Sequence, residues 1–328
     1  ETFPNPDIAY AIVDGPTADA QIQNQGDPKD TGPLVRRGFL QILGGQKLPE
    51  KAKGSGRLQL AQWMTDPSNP LTARVMANRI WHYHVGRGLV STPSDFGVRG
   101  TTPTHPQLLD LLAKHFIESG WSVKSIHRLI LHSRTYRLAA TEHTDNLAKD
   151  PENHYLWRAN RRRLDAEQLR DSILTFSGQL DHSRGGRHPF PHRLSYFYRQ
   201  HEPFQEKYTS NRRSVYLMQP RIKKNPFLDL FDGPDGGLHV GDRKSTITTL
   251  QALYFLNSEF VHQQAAGISK RLPEQDRVQQ LYQLIFNRPA NVTEMAFAIR
   301  YFARGKDEKR WAGYVRSMLG SNEFLFVD

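Results

Sequence analysis

The sequence predicts a mainly α-helical protein: a multi-helical body, a short β-hairpin at the N-terminus and a three-helix bundle at the C-terminus. Three observations predict it. Residues 69–137 hold three helix starts, each with its own marker. Residues 278–319 repeat apolar side chains at the i, i+3, i+4 spacing of a helix face. Strand-like runs are confined to the first 23 residues and to a short piece near Ser214. The implied division is an extended or β segment with a linker over 1–55, a helical body with a long arginine- and aromatic-rich loop over 56–245, and a helical bundle over 246–328.

Taken in order, residues 8–13 and 20–23 read as two strands about the turn Asp14-Gly15-Pro16, either a hairpin or part of a sheet owned by an upstream domain. Residues 34–43, with Leu34, Phe39, Leu40 and Leu43, read as a short buried piece stopped by Gly44-Gly45, and 46–56 as a charged linker. Residues 57–65 read as a helix. Asn69-Pro70 then caps a second one, with proline where a missing N–H costs nothing. His105-Pro106 repeats the device, and its helix carries Leu108, Leu109, Leu112 and Phe116 on one face. Ser119-Gly120 ends it, and Ser122 caps a helix with Val123, Ile126, His127 and Ile130. Residues 133–139 read as extended, followed by a polar link to Asp150-Pro151.

Residues 164–178 form the next helix, stopped by Gly178. From 181 to 219 the periodicity dissolves, apart from a strand over 214–218; a stretch this long without a pattern is usually functional or mobile. Residues 229–242 are a glycine–aspartate loop, 246–260 read as a helix, and 261–272 follow. Val278, Leu281, Tyr282, Ile285 and Phe286 then define a helix face. Asn291 and Glu294 form a capping box before Met295, Ala298, Ile299 and Phe302. Trp311, Tyr314, Val315, Met318 and Leu319 complete the bundle.

The 328 residues carry a net charge of +11, and 38% are hydrophobic, enough for a core at this length. A basic excess attracts polyanions. The cations are dispersed, from Lys47, Lys51 and Arg57 through Arg161, Arg162 and Arg163 to Arg212, Arg213, Arg221 and Lys224, which argues against a single nucleic-acid stripe. No cysteine is present, which excludes disulfides, thiolate chemistry, iron–sulfur clusters and covalently attached c-type haem in this chain. No apolar run reaches the ~18 residues of a membrane span. The polar start at Glu1 shows no signal peptide, and the chain reads as a mature or cleaved fragment. G-x-S-x-G, Walker A and H-E-x-x-H are absent from the sequence, and Gly86-Arg87-Gly88 follows a helix rather than a strand, so it is no dinucleotide fingerprint. The sequence calls for no cofactor.

Four constellations carry potential chemistry. The first surrounds the glycine-rich loop after the Trp81 helix. His82 and His84 point about 200° apart on a helix, so they cannot share an ion. One of the two could instead join Asp95 or His105 at a metal site, or His84 simply hydrogen-bonds backbone at its helix end and shields Trp81. Asp95 and His105 flank the loop as an acid/base pair, or as a turn brace and a helix cap. The second is the run from Arg161 to Asp171: Arg163, Glu167, Arg170 and Asp171 would share one helix face, as a charged network, an anion clamp or a catalytic carboxylate pair. The third is Asp229, Asp232, Asp235 and Asp242, whose spacing fails the EF-hand rule and suits a turn lattice or a looser calcium loop. The fourth mixes Arg193, Arg199, Arg212 and Arg213 with Tyr196, Phe197, Tyr198, Phe204 and Tyr208, a composition suited to sugar stacking or to a loop packed on the core. Asn78, Arg79, His84, Asp95 and His105 are expected to meet the Arg163, Glu167, Arg170 and Asp171 face around one cleft, with Asp95, His105, Glu167 and Asp171 as catalytic candidates and Asn78, Arg79, His84, Arg163 and Arg170 as ligand-binding ones.

Much of the chain also resembles a known family. The words are Pro70-Leu71-Thr72-Ala73-Arg74-Val75, Asn78-Arg79-Ile80-Trp81, His84, Gly86-Arg87-Gly88-Leu89-Val90, Asp95-Phe96-Gly97, His105-Pro106-Gln107-Leu108-Leu109-Asp110 and Gly120-Trp121. They continue with Asn160-Arg161-Arg162-Arg163-Leu164-Asp165-Ala166-Glu167 and Arg170-Asp171. They resemble the planctomycete cytochrome-associated "PSD-one" domain, domain of unknown function 1553, which ends large secreted proteins. The resemblance implies a secreted or periplasmic address and an upstream cytochrome-type or β-rich domain as partner. Taken with the arginine–aromatic mixture and the dispersed basic charge, it leads to the expectation of a helical module of a larger carbohydrate-directed protein, acting in binding or assembly, with an acidic glycan as ligand. Two alternatives stand beside it: a polysaccharide-active enzyme using Glu167/Asp171 or Asp95/His105, and a polyanion or nucleic-acid binder.

Overall fold

Helix starts in this chain are written in side chains, and the computed structural model carries most of them out. It describes residues 11–15, 17–49, 52, 54–184, 210–219, 224–238 and 240–327. The chain divides into two compact units, 1–133 and 134–328.

In the first unit, β1 (Ala20–Gln23) pairs antiparallel with β2 (Thr31–Val35). The hairpin partner is therefore 31–35, not 8–13. Residues 11–13 form no strand, and residues 8–10 lie outside the described ones. The turn explains the choice: Gly26 takes φ +83°, Asp27 Oδ1 accepts from the Lys29 N–H, and Asn24 bonds Asp30 through both backbone and side chain. The expected buried piece at 34–43 is also corrected. Leu34 and Leu40 stay exposed, because a lone two-stranded hairpin has no second layer to cover them. Phe39 alone finds a ring, stacking on Trp63 at 5.1 Å.

α1 (Arg57–Met64) buries no residue. α2 (Thr72–Val85) follows, with Asn69 Oδ1 accepting from the N–H groups of Leu71 and Thr72 and Gly86 closing it at φ +87°. α3 (Pro106–Glu118) begins on Pro106, although the His105 side chain gives it no capping bond. α4 (Val123–Leu131) is capped by Ser122, whose hydroxyl accepts from the Ser125 N–H. Ala77, Ile80, Trp81, Leu109, Leu112, Phe116, Ile126 and Ile130 are buried on these three helices.

The second unit opens with a 3₁₀ turn, Thr135–Arg137, and α5 (Thr144–Lys149), where extended chain and a polar link were expected. β3 (Arg162–Arg163) pairs with β4 (Phe326–Val327), so the end of the chain folds back beside α6 (Ala166–Ser177). Asp165 and Gln168 form a capping box on α6, which begins it two residues later than expected, and Gly178 stops it. The strand expected over 214–218 is a 3₁₀ turn, Ser214–Tyr216, because Asp171 holds the Ser214 N–H and hydroxyl.

α7 (Pro226–Leu230) precedes α8 (Thr249–Asn257) and α9 (Glu259–Arg271). One continuous helix over 246–260 was expected. A Thr248/Gln251 capping box starts α8 later, and Ser258, at ψ 130°, breaks the backbone before α9. α10 (Arg277–Phe286), α11 (Val292–Phe302) and α12 (Glu308–Leu319) follow, with the Asn291/Glu294 box in place on α11, and α13 (Asn322–Leu325) closes the series. These C-terminal helices do not keep a core to themselves. Leu169 and Ile173 of α6 join Val261, Ala265 and Ile268 of α9 and Trp311, Val315 and Leu319 of α12 in one cluster. Among the described residues, no helix is long and apolar enough to cross a membrane.

Candidate functional site

The expected cleft draws on both units: Asn78, Arg79, His84, Asp95 and His105 belong to the first, and Arg163, Glu167, Arg170 and Asp171 to the second. Each group has its own geometry.

In the first unit, Asn78 is fully buried and imitates a strand. Its Nδ2 donates to the Val90 carbonyl and its Oδ1 accepts from the Val90 N–H, both at 2.9 Å. That pair locks the start of the glycine-rich loop onto α2, and Gly88 is required there. A Cβ at Gly88 would stand 2.5 Å from the Val90 oxygen and 2.8 Å from Asn78 Nδ2. Asp95 braces its own turn, Oδ1 accepting from the Gly97 N–H at 2.8 Å, while Thr92 Oγ1 donates to the Asp95 carbonyl. His105 Nδ1 lies 3.0 Å from Thr104 Oγ1. Arg79 keeps its Nε buried without a hydrogen-bond partner. His84 Nε2 meets His127 Nδ1 of α4 at 2.6 Å, the rings nearly perpendicular. One nitrogen of that contact must carry the proton and the other accept it, so the pair joins α2 to α4 with one ring lone pair facing one ring N–H. The sequence placed His127 in an apolar stripe and gave no sign of this meeting.

In the second unit, the sequence placed Arg163, Glu167, Arg170 and Asp171 on one helix face, paired at i+4. The structure corrects this. Arg163 precedes α6 in β3 and has no helical partner to meet. The four reach segments distant in sequence instead, Arg170 and Asp171 sharing residues 210–214. Arg163, its side chain 5% exposed, donates to Asp232 Oδ2 at 3.2 Å, to Gln251 Oε1 at 3.2 Å and to the Thr246 carbonyl, and its guanidinium lies over the Phe231 ring. Glu167 takes a bidentate pair of bonds from Arg243 at 2.6 and 2.9 Å. Arg170 donates to the carbonyls of Arg212 and Ser210 and to Ser214 Oγ. Asp171 accepts from the Ser214 N–H at 2.9 Å and from its hydroxyl at 2.7 Å, and stands 3.5 Å from Arg170.

Burial holds the Arg163 and Arg170 guanidiniums below their ordinary pKa, and the neighbouring carboxylates, Asp232 and Asp171, push back up. The net result is cations kept inside by their counter-charges and carbonyls, the arrangement that makes loss of either partner costly. Chemically, the lattice does one thing well. It fastens residues 210–214, 232, 243, 246 and 251 to the start of α6. Asp181 adds to it, its N–H donating to the Asn211 carbonyl and its carboxylate lying 3.6 Å from Arg212 Nε. An acid/base pair needs a carboxylate with a lone pair aimed at substrate, yet Glu167 and Asp171 give theirs to a guanidinium and to Ser214. Arg243 and Ser214 went unnoticed as partners because no local pattern links them to α6.

The aspartate loop divides in the same way. Asp232 serves Arg163 and Thr246, while Asp229 and Asp235 share Lys224 at 3.4 and 3.3 Å. Among the described residues, no three His, Asp or Glu side chains gather as metal ligands. Of the arginine–aromatic loop, Arg212 and Arg213 are described; Arg193, Tyr196, Phe197, Tyr198, Arg199, Phe204 and Tyr208 lie outside the described residues.

A family model described as PSD1, protein of unknown function (DUF1553), matches residues 56–302. No curated protein and no solved structure matches the chain.

Proposed function

We propose, on the premise that the chain belongs to the PSD1 family of proteins of unknown function, that it is a binding and assembly module rather than a hydrolase. In this reading it serves a larger exported, cytochrome-linked protein of the planctomycete type that is directed at carbohydrate. One observation carries the choice between module and enzyme. The carboxylates best placed for catalysis, Glu167 and Asp171, are spent on Arg243 and Ser214, in bonds that fix the chain between elements far apart in sequence. A glycosidase needs two carboxylates flanking a bond, one of them protonated at working pH. Arg243 holds Glu167 in a bidentate pair, and Asp171 stands 3.5 Å from Arg170. Asp95 is likewise occupied by the Gly97 N–H. The resemblance in the sequence supplies the exported, cytochrome-linked and carbohydrate-directed parts, and the +11 charge favours an acidic glycan over a neutral one.

The test is the full chain incubated with polygalacturonate, a sulfated galactan and a neutral glucan. Retention in affinity electrophoresis and release of reducing ends are measured together. The module reading expects retention by one of the two acidic polymers and no new reducing ends, with Glu167→Gln and Asp171→Asn lowering the melting temperature. Release of reducing ends, abolished by Asp171→Asn at unchanged melting temperature, would overturn it.

A further inference from the structure

The outer face of α11 combines aliphatic and cationic stripes. Val292, Ala296, Ile299 and Ala303 recur at i, i+4, i+7 and i+11, all exposed, Val292 at 87% and Ile299 at 68%. On a helical wheel they fall within about 60° of one another. Arg300 and Arg304 form a second stripe about 90° further round. Beyond them a hollow of about 800 Å³ opens between α11 and α12, lined by Phe297, Tyr301, Lys309 and Gly313 among others. Its floor is shallow in side chain because Gly313 has none; a Cβ there would lie 3.1 Å from the Tyr301 hydroxyl. Arg310 and Arg316, which also line it, are engaged, Arg310 with the Tyr301 carbonyl and Arg316 with His262. Asp307 is the one carboxylate among the lining residues, and its Oδ1 caps α12. Arg300, Arg304 and Lys309 have no carboxylate partner among the described residues.

We propose that this face of α11, with the hollow beside it, docks an acidic amphipathic helix of a protein partner. The helix would lay an apolar seam along Val292, Ala296, Ile299 and Ala303. Its carboxylates would stand over Arg300, Arg304 and Lys309. The inference rests on the assembly reading above for its purpose and names the surface and the chemistry of the partner. The spacing of the stripe is that of a helix seam, and helix-in-groove recognition uses anchors at i, i+3, i+4 and i+7. At 11 residues, α11 offers about 16 Å of seam, or three turns of a partner helix. Charge complementarity sets the sign of the partner, since Arg300 and Arg304 flank the aliphatic stripe and Lys309 lines the hollow beyond them, none with a carboxylate partner among the described residues. A second copy of this chain is the wrong occupant, because pairing α11 with itself would bring Arg300 and Arg304 against their own kind in a chain of charge +11. A sugar would leave the aliphatic stripe unused, and a flat bilayer would leave the hollow unfilled.

The experiment uses the full chain and a fluorescein-labelled synthetic helix with leucine at i, i+3, i+4 and i+7 and glutamate on both flanks. Binding is read by anisotropy at low salt. A lysine-for-glutamate version of the peptide, a sulfated oligosaccharide and phosphatidylglycerol vesicles serve as the other arms. The acidic peptide should bind at least about tenfold more tightly than the basic one, and Ile299→Asp or the double change Arg300→Glu with Arg304→Glu should each weaken it about tenfold. Arg300→Lys should retain most of the affinity. These positions are exposed, and far-ultraviolet dichroism checks that each variant folds. Unchanged peptide affinity in the variants overturns the proposal. So does a stronger, variant-sensitive response to the oligosaccharide or the vesicles. Either failure leaves the module reading standing, because that reading falls only on polysaccharide turnover.

Discussion

Asp171→Ala should cost about 3 kcal/mol of stability, and the figure can be built from its neighbours. Ser214 is 1% exposed, and Asp171 is the acceptor for both its N–H and its hydroxyl. Leaving a buried donor without a partner costs about 1–3 kcal/mol. Arg170, 7% exposed, would at the same time lose its nearest counter-charge, and breaking a buried ion pair from one side costs about 3–5 kcal/mol. The two do not add, because Arg170 keeps the Arg212 and Ser210 carbonyls and Asp171 is itself 22% exposed, so water can enter the gap. That places the sum near the lower end of the second range. Asp171→Asn keeps an oxygen for Ser214 and removes only the charge, so it should cost about half as much. Ser214→Ala keeps the ion pair and should cost about 1 kcal/mol. Urea titration followed by fluorescence reads all three; Trp157 and Trp311 both report on the second unit. A loss below about 1 kcal/mol for Asp171→Ala would refute the reasoning, since it would mean that Ser214 and Arg170 find other partners at no cost.

The same logic gives two further predictions. Asn78→Ala should destabilise the first unit by about 2–4 kcal/mol, because it orphans the N–H and the carbonyl of Val90 together, and amide exchange at Val90 should rise in step; protection unchanged at Val90 would contradict the strand-mimic role. Stability should also fall in acid. The Arg288 bonds hold Glu294, and the Ser269 hydroxyl followed by Arg277 hold Glu308, below the usual carboxylate range. A depressed folded-state pKa contributes stability that is fully present above the unfolded value, about 4.3, and is lost as pH falls through the lower folded one. The urea midpoint should thus be flat from about pH 7 to 5 and drop below that, with a shallower drop in Glu294→Gln. An equal slope in that variant would assign the acid sensitivity elsewhere.

The helices of this chain were legible where a cap or a stop lies within a few residues of its target. Asn69, Ser122 and the Asn291/Glu294 box each act over two or three positions, and Gly86 and Gly178 end helices one residue beyond them. Such signals need no knowledge of the rest of the fold. The hairpin was half legible. Residues 20–23 have strand character, but their partner is set by turn geometry at 24–30 rather than by Asp14-Gly15-Pro16. α5 was missed because six polar-leaning residues carry no apolar face to read. The lattice on α6 was legible in composition and not in pairing. The charged run was plain, but Asp171 meets Ser214 across 43 residues and Glu167 meets Arg243 across 76, distances at which no local spacing carries information.

Why the pairing went to distant partners is a matter of where α6 begins. Had Arg163 lain inside the helix, Glu167 would have been its neighbour at i+4, a surface pair worth about 0.2–0.5 kcal/mol. The Asp165/Gln168 box starts the helix after Arg163, and β3 turns that arginine toward Asp232 and Gln251 instead. Glu167 is then left for Arg243. One capping choice thus converts a weak local pair into two long-range ties that hold irregular backbone, where the sequence has little helical periodicity of its own to rely on. The same economy argues for the division of labour proposed here. The α6 charges are inward-turned and consumed, whereas Arg300 and Arg304 flank exposed aliphatic surface and Lys309 lines the hollow beyond, with no carboxylate to meet among the described residues. Water already solvates those exposed cations, so docking gains by covering the stripe while keeping each charge answered, and a helix with acids flanking a leucine seam does both at once.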